Sequence, residues 1–189
     1  MNLILASASP RRKEILKKAG YTFKVIPSNY DENISGLIYS KELVENCAQQ
    51  KALDVQQKTN KDSVIVSADT VVVLNDRILG KPNDKSEAFY MLLELSNQTH
   101  FVATSICIIA KNKIIKNTDI THVTFRKLDF SDIENYLKSK KPYDKAGSYG
   151  IQDEGFDFVL NIDGKLDNVI GFPTDMFQKM LHEINSRKN

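Results

Sequence analysis

The chain has 189 residues, 41% of them hydrophobic and 26% charged, with a net charge of +2. That composition suits one globular domain with a sizeable core, and the charge is too small to argue for nucleic acid or a membrane surface as a partner. No stretch approaches the roughly 20 apolar residues of a membrane helix, and the apolar start lacks the charged region of a signal peptide. The expectation is a cytoplasmic protein.

In chain order, residues 3–6 read as a short apolar strand and 10–19 as a helix stopped at Gly20. A second strand follows over 21–26, then a polar loop through 33–36. Residues 40–58 form a helix with Leu43, Val44, Cys47, Ala48 and Val55 near helical spacing. The strongest strand is 64–74, and Asn75-Asp76 turns it into a short strand at 77–79. A helix over 85–95 leads to an antiparallel pair, 101–110 and 113–125, joined at Lys111-Asn112. The next helix, 131–140, has Ser131 as its N-cap and Glu134 three residues on, a capping-box pattern. Residues 147–155 are loop-rich, 157–162 and 166–170 read as short strands or turns, and 173–187 as a closing helix. Helices and strands alternate without an internal repeat, so the fold class is α/β, with a mixed sheet in a single domain over 1–189.

Four segments carry chemistry. In Ser7-Ala8-Ser9-Pro10-Arg11-Arg12, Ser9 suits an N-cap and Pro10 the first helical position. Two arginines in the first turn oppose the positive end of the helix dipole, a penalty that a bound anion reverses. Serine hydroxyls, free backbone N–H groups and two guanidinium groups together make a phosphate cradle; an exposed basic helix start would present the same residues.

Lys51 lies four residues after Cys47 on the apolar face of its helix, where an ammonium must reach solvent or meet an anion. Asp69 sits mid-strand in Val64-Ile65-Val66-Ser67-Ala68-Asp69-Thr70-Val71, where a carboxylate is disfavoured unless a cation, a metal or donors compensate it. That position makes it a candidate general base or metal ligand, with a satisfied carboxylate at a bulge as the plain alternative.

Lys81 sits in the Gly80-Lys81-Pro82 turn, and Asp31-Glu32 adds two loop carboxylates. Magnesium favours such oxygens together with substrate phosphates. In Asp144-Lys145-Ala146-Gly147-Ser148-Tyr149-Gly150-Ile151-Gln152, the glycines permit close approach and Gln152 can read a base or place a water. His100, His122 and His182 are scattered, against a zinc site. Cys47 and Cys107 lack C-x-x-C spacing, against a disulfide framework.

These segments together resemble the Maf proteins, a family of nucleoside triphosphate pyrophosphatases. The resemblance spans the chain: LASASPRR at 5–12, Asp31-Glu32, Lys51, SADT at 67–70, GKP at 80–82, LSNQTH at 95–100, VTFR at 123–126, DKAGSYGIQ at 144–152 and NVIGFP at 168–173. Asn97 stands where many members have glycine. The resemblance implies a central twisted mixed sheet with two lobes around a substrate cleft, hydrolysis at the α-phosphate that depends on a divalent cation (Mg²⁺ or Mn²⁺), and often a homodimer. Thr70 with the DKAGSYGIQ segment looks like the branch acting on dTTP and UTP.

Combined with the residue reading, this gives Asp69 as general base or metal ligand, with Glu32 as the second carboxylate near the metal. Arg11, Arg12, Lys51 and Lys81 hold the triphosphate, Ser7 and Ser9 add contacts, and Thr70 and Gln152 face the nucleotide. Two other readings remain: clearance of ITP- or XTP-type nucleotides, and a non-catalytic regulatory protein linked to septum formation.

Overall fold

The computed structural model describes residues 2–30, 33–60, 62–110, 113–140 and 142–186, with Asn185 by its backbone only. The elements are β1 (Leu3–Leu5), α1 (Pro10–Lys18), β2 (Lys24–Val25), α2 (Lys41–Gln56), β3 (Val64–Leu74), β4 (Arg77–Leu79), α3 (Lys85–Leu95), β5 (Thr99–Ala110), β6 (Lys113–Phe125), α4 (Phe130–Ser139), β7 (Val159–Asp163), α5 (Leu166–Ile170) and α6 (Thr174–Ser186). The seven strands form one sheet in the order β2-β1-β3-β5-β6-β7, with β4 also on β3. β1 runs parallel to β2 and β3, and the other pairings are antiparallel. The sheet is therefore mixed, as expected.

Strand alternation sends successive side chains to opposite faces. On one face, Leu3, Leu5, Val66 and Ala68 pack with Leu16 of α1 and with Phe177 and Met180 of α6. Further along that face, Val72, Leu74 and Val102 pack with Leu92 of α3 and Ile133 of α4. The other face is covered by α2: Ala48, Ala52 and Val55 meet Ile4, Ile65 and Cys107, while Val44 meets Val71 and Ala103. Two covering groups on one face and one long helix on the other leave room between the groups.

Several local expectations change. The second strand shrinks to Lys24–Val25, and Tyr21 instead meets Phe177 edge-on at 5.1 Å. α4 begins earlier than expected, with Asp129 and not Ser131 as its N-cap. Asp129 accepts from the Asp132 amide at 2.8 Å, Asp132 returns the bond to the Asp129 amide at 3.0 Å, and Ser131 only donates to Asp129. A carboxylate serves the positive helix end better than a hydroxyl. Residues 166–170 are helical, and α5 ends at Gly171 with φ of 115°, a left-handed stop. Asn97 also takes positive φ, 58°, so it keeps the backbone that glycine would supply. The expected join at Lys111-Asn112 lies outside the described residues. Among the described residues, no helix is long and apolar enough to cross a membrane.

Candidate active site

The sheet itself opens the site. Pairing of β1 with β3 stops at Leu5 opposite Val66, and pairing of β4 with β3 starts at Val72 opposite Leu79. Between them, among the described residues, β3 is laddered on its β5 side alone. The chain leaves β1 through Ser7 into α1 at this gap, so the opening lies beyond the carboxyl end of a parallel strand, where open α/β sheets commonly bind ligands. A cavity of about 790 Å³ fills the place. Its wall includes Ser7, Ser9, Arg11, Arg12, Lys51, Asp69, Thr70, Lys81 and Gln152. Every expected site residue that the structure describes is therefore on one surface. Glu32 and its neighbour Asp31 lie outside the described residues.

Asp69 and Thr70 are consecutive on β3 and point to opposite faces. Asp69 faces α2, where Lys51 Nζ donates to its Oδ1 at 2.6 Å. Both are buried, at 3% and 9% exposure. α2 places Lys51 because the helix starts at Ser40, whose hydroxyl accepts from the Leu43 amide at 3.2 Å, and because Cys47, Ala48 and Val55 hold the same face against the sheet. The expectation of a lysine meeting an anion on an apolar face describes this contact.

Thr70 faces Arg12. The guanidinium donates through Nη2 to Thr70 Oγ1 at 2.9 Å, through Nε to the Gly171 carbonyl at 2.9 Å and through Nη1 to Ser7 Oγ at 3.3 Å. Ser7 Oγ also accepts from the Ser9 amide at 3.2 Å, so its own proton is the donor it can offer outward. Ser9 occupies the N-cap position of α1, but its side chain makes no capping bond, contrary to its expected role. The first turn holds no acidic residue, and α1 thus presents amide donors and arginines toward the cavity.

Arg11 is on the cavity wall as well. It reaches across to the 3₁₀ turn Pro142–Asp144, donating to Asp144 Oδ2 at 2.8 Å and to the Asp144 carbonyl at 3.2 Å. Residues 142–153 are thereby tied to α1.

The same segment is tied to the Lys81 turn. Gly147 donates its amide to the Gly80 carbonyl at 3.0 Å. Gly147 has φ of 65°, and a Cβ there would stand 3.0 Å from the Val72 side chain. A Cβ at Gly80 would stand 2.7 Å from Ser35 Cβ. These close approaches explain the glycines beside Lys81 and Ser148. Gln152 is exposed on the cavity wall.

Sequence reasoning missed several wall residues. Lys145 sits between Asp153 at 3.2 Å and Asp144 at 3.8 Å. Tyr149 is buried and hydrogen-bonded to His100 Nε2 at 2.8 Å. Burial pushes the Tyr149 hydroxyl pKa up and pulls His100 down to about 4, so the imidazole is neutral. Lys145 could have been found from its place in the Asp144–Gln152 motif; the His100–Tyr149 contact had no sequence signal, since the partners lie on separate elements.

Among the described residues, no three His, Cys, Asp or Glu side chains gather as a metal cage. One buried carboxylate, Asp69, on the wall of a cation-lined cavity fits a different arrangement, in which magnesium arrives with the phosphates and keeps most of its waters.

The family model described as Maf-like protein matches residues 2–184. The chain belongs to the Maf family. Among curated relatives, a dTTP/UTP pyrophosphatase of Bacillus anthracis is 44% identical over 183 residues, covering 97% of this chain and 95% of the relative. One from Clostridium botulinum is 43% identical, covering 97% and 99%. Among solved structures, the Staphylococcus aureus Ham1 protein superposes with a TM-score of 0.50 at 15% identity, covering 97% of this chain and 100% of that one, which is a likeness of fold alone.

Proposed function

We propose that this Maf protein hydrolyses dTTP and UTP between the α- and β-phosphates, releasing the nucleoside monophosphate and pyrophosphate. The observation that carries the reading is the Lys51–Asp69 contact in the wall of a cavity that Arg12, Lys81 and Ser7 share. The names of the relatives at 43–44% identity supply the nucleotide class.

In this mechanism Asp69 accepts the proton of the water that attacks the α-phosphorus, and Lys51 fixes the carboxylate through Oδ1. Arg12, Lys81 and the first-turn amides of α1 offset charge as pyrophosphate leaves. Phosphoryl transfer asks little more of a protein than positioning and electrostatic stabilisation. Gln152 and Tyr143 also line the cavity, and in this reading they contact the base and sugar. A divalent cation held by Asp69, and by Glu32, would add charge neutralisation on the phosphates.

The test is a panel of dTTP, UTP, ITP, XTP and 7-methyl-GTP with Mg²⁺ or Mn²⁺, assayed for pyrophosphate and monophosphate. Turnover of dTTP and UTP that is lost in Asp69→Asn is expected. Preference for ITP or XTP, or no pyrophosphate from any nucleotide, overturns the reading. A chelator that leaves turnover intact removes the cation from it.

A further inference from the structure

We infer that Thr104 is a positioning residue, whose buried hydroxyl orients the Arg12 guanidinium through Thr70. The inference rests on the proposed function in one respect, that Arg12 meets the polyphosphate.

The hydrogen-bond directions are fixed by chemistry. The Asn168 carbonyl can only accept, so the Thr104 hydroxyl donates to it, at 2.8 Å. That uses Thr104's single proton. The 3.0 Å contact between Thr70 Oγ1 and Thr104 Oγ1 must then have Thr70 as the donor. Arg12 can only donate, so Thr70 Oγ1 accepts from it. The result is a one-way relay from Arg12 to Thr70, to Thr104, to the Asn168 carbonyl.

Both ends of the relay are held. Asn168 is fully buried, and its amide nitrogen donates to the Val102 carbonyl and to Thr121 Oγ1, each at 3.0 Å. Three residues on, the Gly171 carbonyl accepts from Arg12 Nε. α5 therefore fixes the guanidinium twice, once directly and once through two threonines.

Thr104 is fully buried and is not among the residues of the cavity wall. Of its two side-chain bonds, the one that points toward the cavity wall is the contact with Thr70. Thr70 was expected to face the nucleotide; its proton is committed inward, so on the wall it acts as an acceptor that aims Arg12.

The test is a double-mutant cycle on the full chain with Thr104→Val, Arg12→Ala and the double variant, plus Thr104→Ser. Affinity for inorganic tripolyphosphate is measured by calorimetry, and kcat and KM are measured with dTTP. Thr104→Val is expected to weaken tripolyphosphate roughly 3- to 10-fold. Thr104→Ser should restore it, and Thr104→Val should have no further effect once Arg12 is alanine.

Independent, multiplicative effects overturn the relay, as does wild-type affinity and turnover in Thr104→Val. Should Thr104→Val fail to fold, Thr70→Val cuts the same relay and carries the same expectation. Wild-type protein that binds tripolyphosphate yet releases no pyrophosphate from nucleotides refutes the activity alone, because the binding cycle still reads Thr104. Wild-type protein that turns over dTTP yet does not bind tripolyphosphate overturns the premise that Arg12 meets the polyphosphate, and the relay with it, and leaves the activity standing.

Discussion

Lys51 Nζ lies 2.6 Å from Asp69 Oδ1, with the side chains only 11% and 4% exposed. Two opposite charges withdrawn from water at that distance hold each other in one geometry. For Asp69→Asn, kcat should fall roughly 10²–10⁴-fold, the range for loss of a general base. Steady-state kinetics on folded protein checks this, and near-wild-type turnover removes Asp69 from its assigned role.

The same pair predicts a stability asymmetry. Lys51→Met takes an ammonium from a buried carboxylate, and breaking one side of such a pair typically costs about 3–5 kcal/mol. Adding Asp69→Asn to Lys51→Met should recover part of that loss. Urea denaturation of the two single variants and the double variant measures it.

Arg12 donates to three acceptors set apart by the backbone, Gly171, Thr70 and Ser7. A lysine keeps the charge but cannot reproduce the planar fork. Arg12→Lys should therefore raise KM for dTTP by about tenfold or more, the scale of one lost charge-assisted bond. Unchanged KM would show that charge alone suffices.

His100 gives a pH prediction with a definite sign. Its folded pKa is depressed by burial to about 4, against an ordinary 6.5. Between those values the unfolded chain takes up a proton that the folded chain refuses. Stability from this residue is therefore full above about pH 6.5 and declines as the pH drops toward 4, by up to about 1.4 kcal/mol per unit. His100→Gln should flatten that part of the profile. The difference between wild-type and variant urea midpoints across pH 4–7 isolates it from the carboxylates.

The α4 cap should affect stability without touching the site. Asp129→Ala removes the acceptor of the Asp132 amide and should lower the melting temperature by about 2–4 °C. No residue of α4 lines the cavity, so kcat/KM for dTTP should not move.

Much of this arrangement was legible in the sequence because it violates local rules. Arginines at a helix start, a lysine on an apolar face and an aspartate inside a valine-rich strand each need an explanation, and one cavity supplies it for all three. The order of elements was readable because β3 and β5 are long, nearly continuous apolar runs and α2 has apolar residues near helical spacing. What stayed hidden depends on which groups meet across the fold. Nothing near Arg11 in the sequence points to Asp144, 133 positions away. Thr104 looks like an ordinary strand threonine until Asn168 and Thr70 are set beside it. The α4 cap was misplaced for a smaller reason: two acidic residues, Asp129 and Asp132, could form the same reciprocal bonds expected of Ser131 and a glutamate.

The interrupted pairing along β3 has a mechanical meaning. Below the opening the sheet includes β1 and β2, and above it β4; among the described residues, only the long strands β3, β5 and β6 run past both. They form a continuous spine, with a jaw on either side of the opening. The jaws are latched to each other, because Arg11 of α1 holds Asp144 and the same segment, through the Gly147 amide, holds the Gly80 carbonyl beside Lys81.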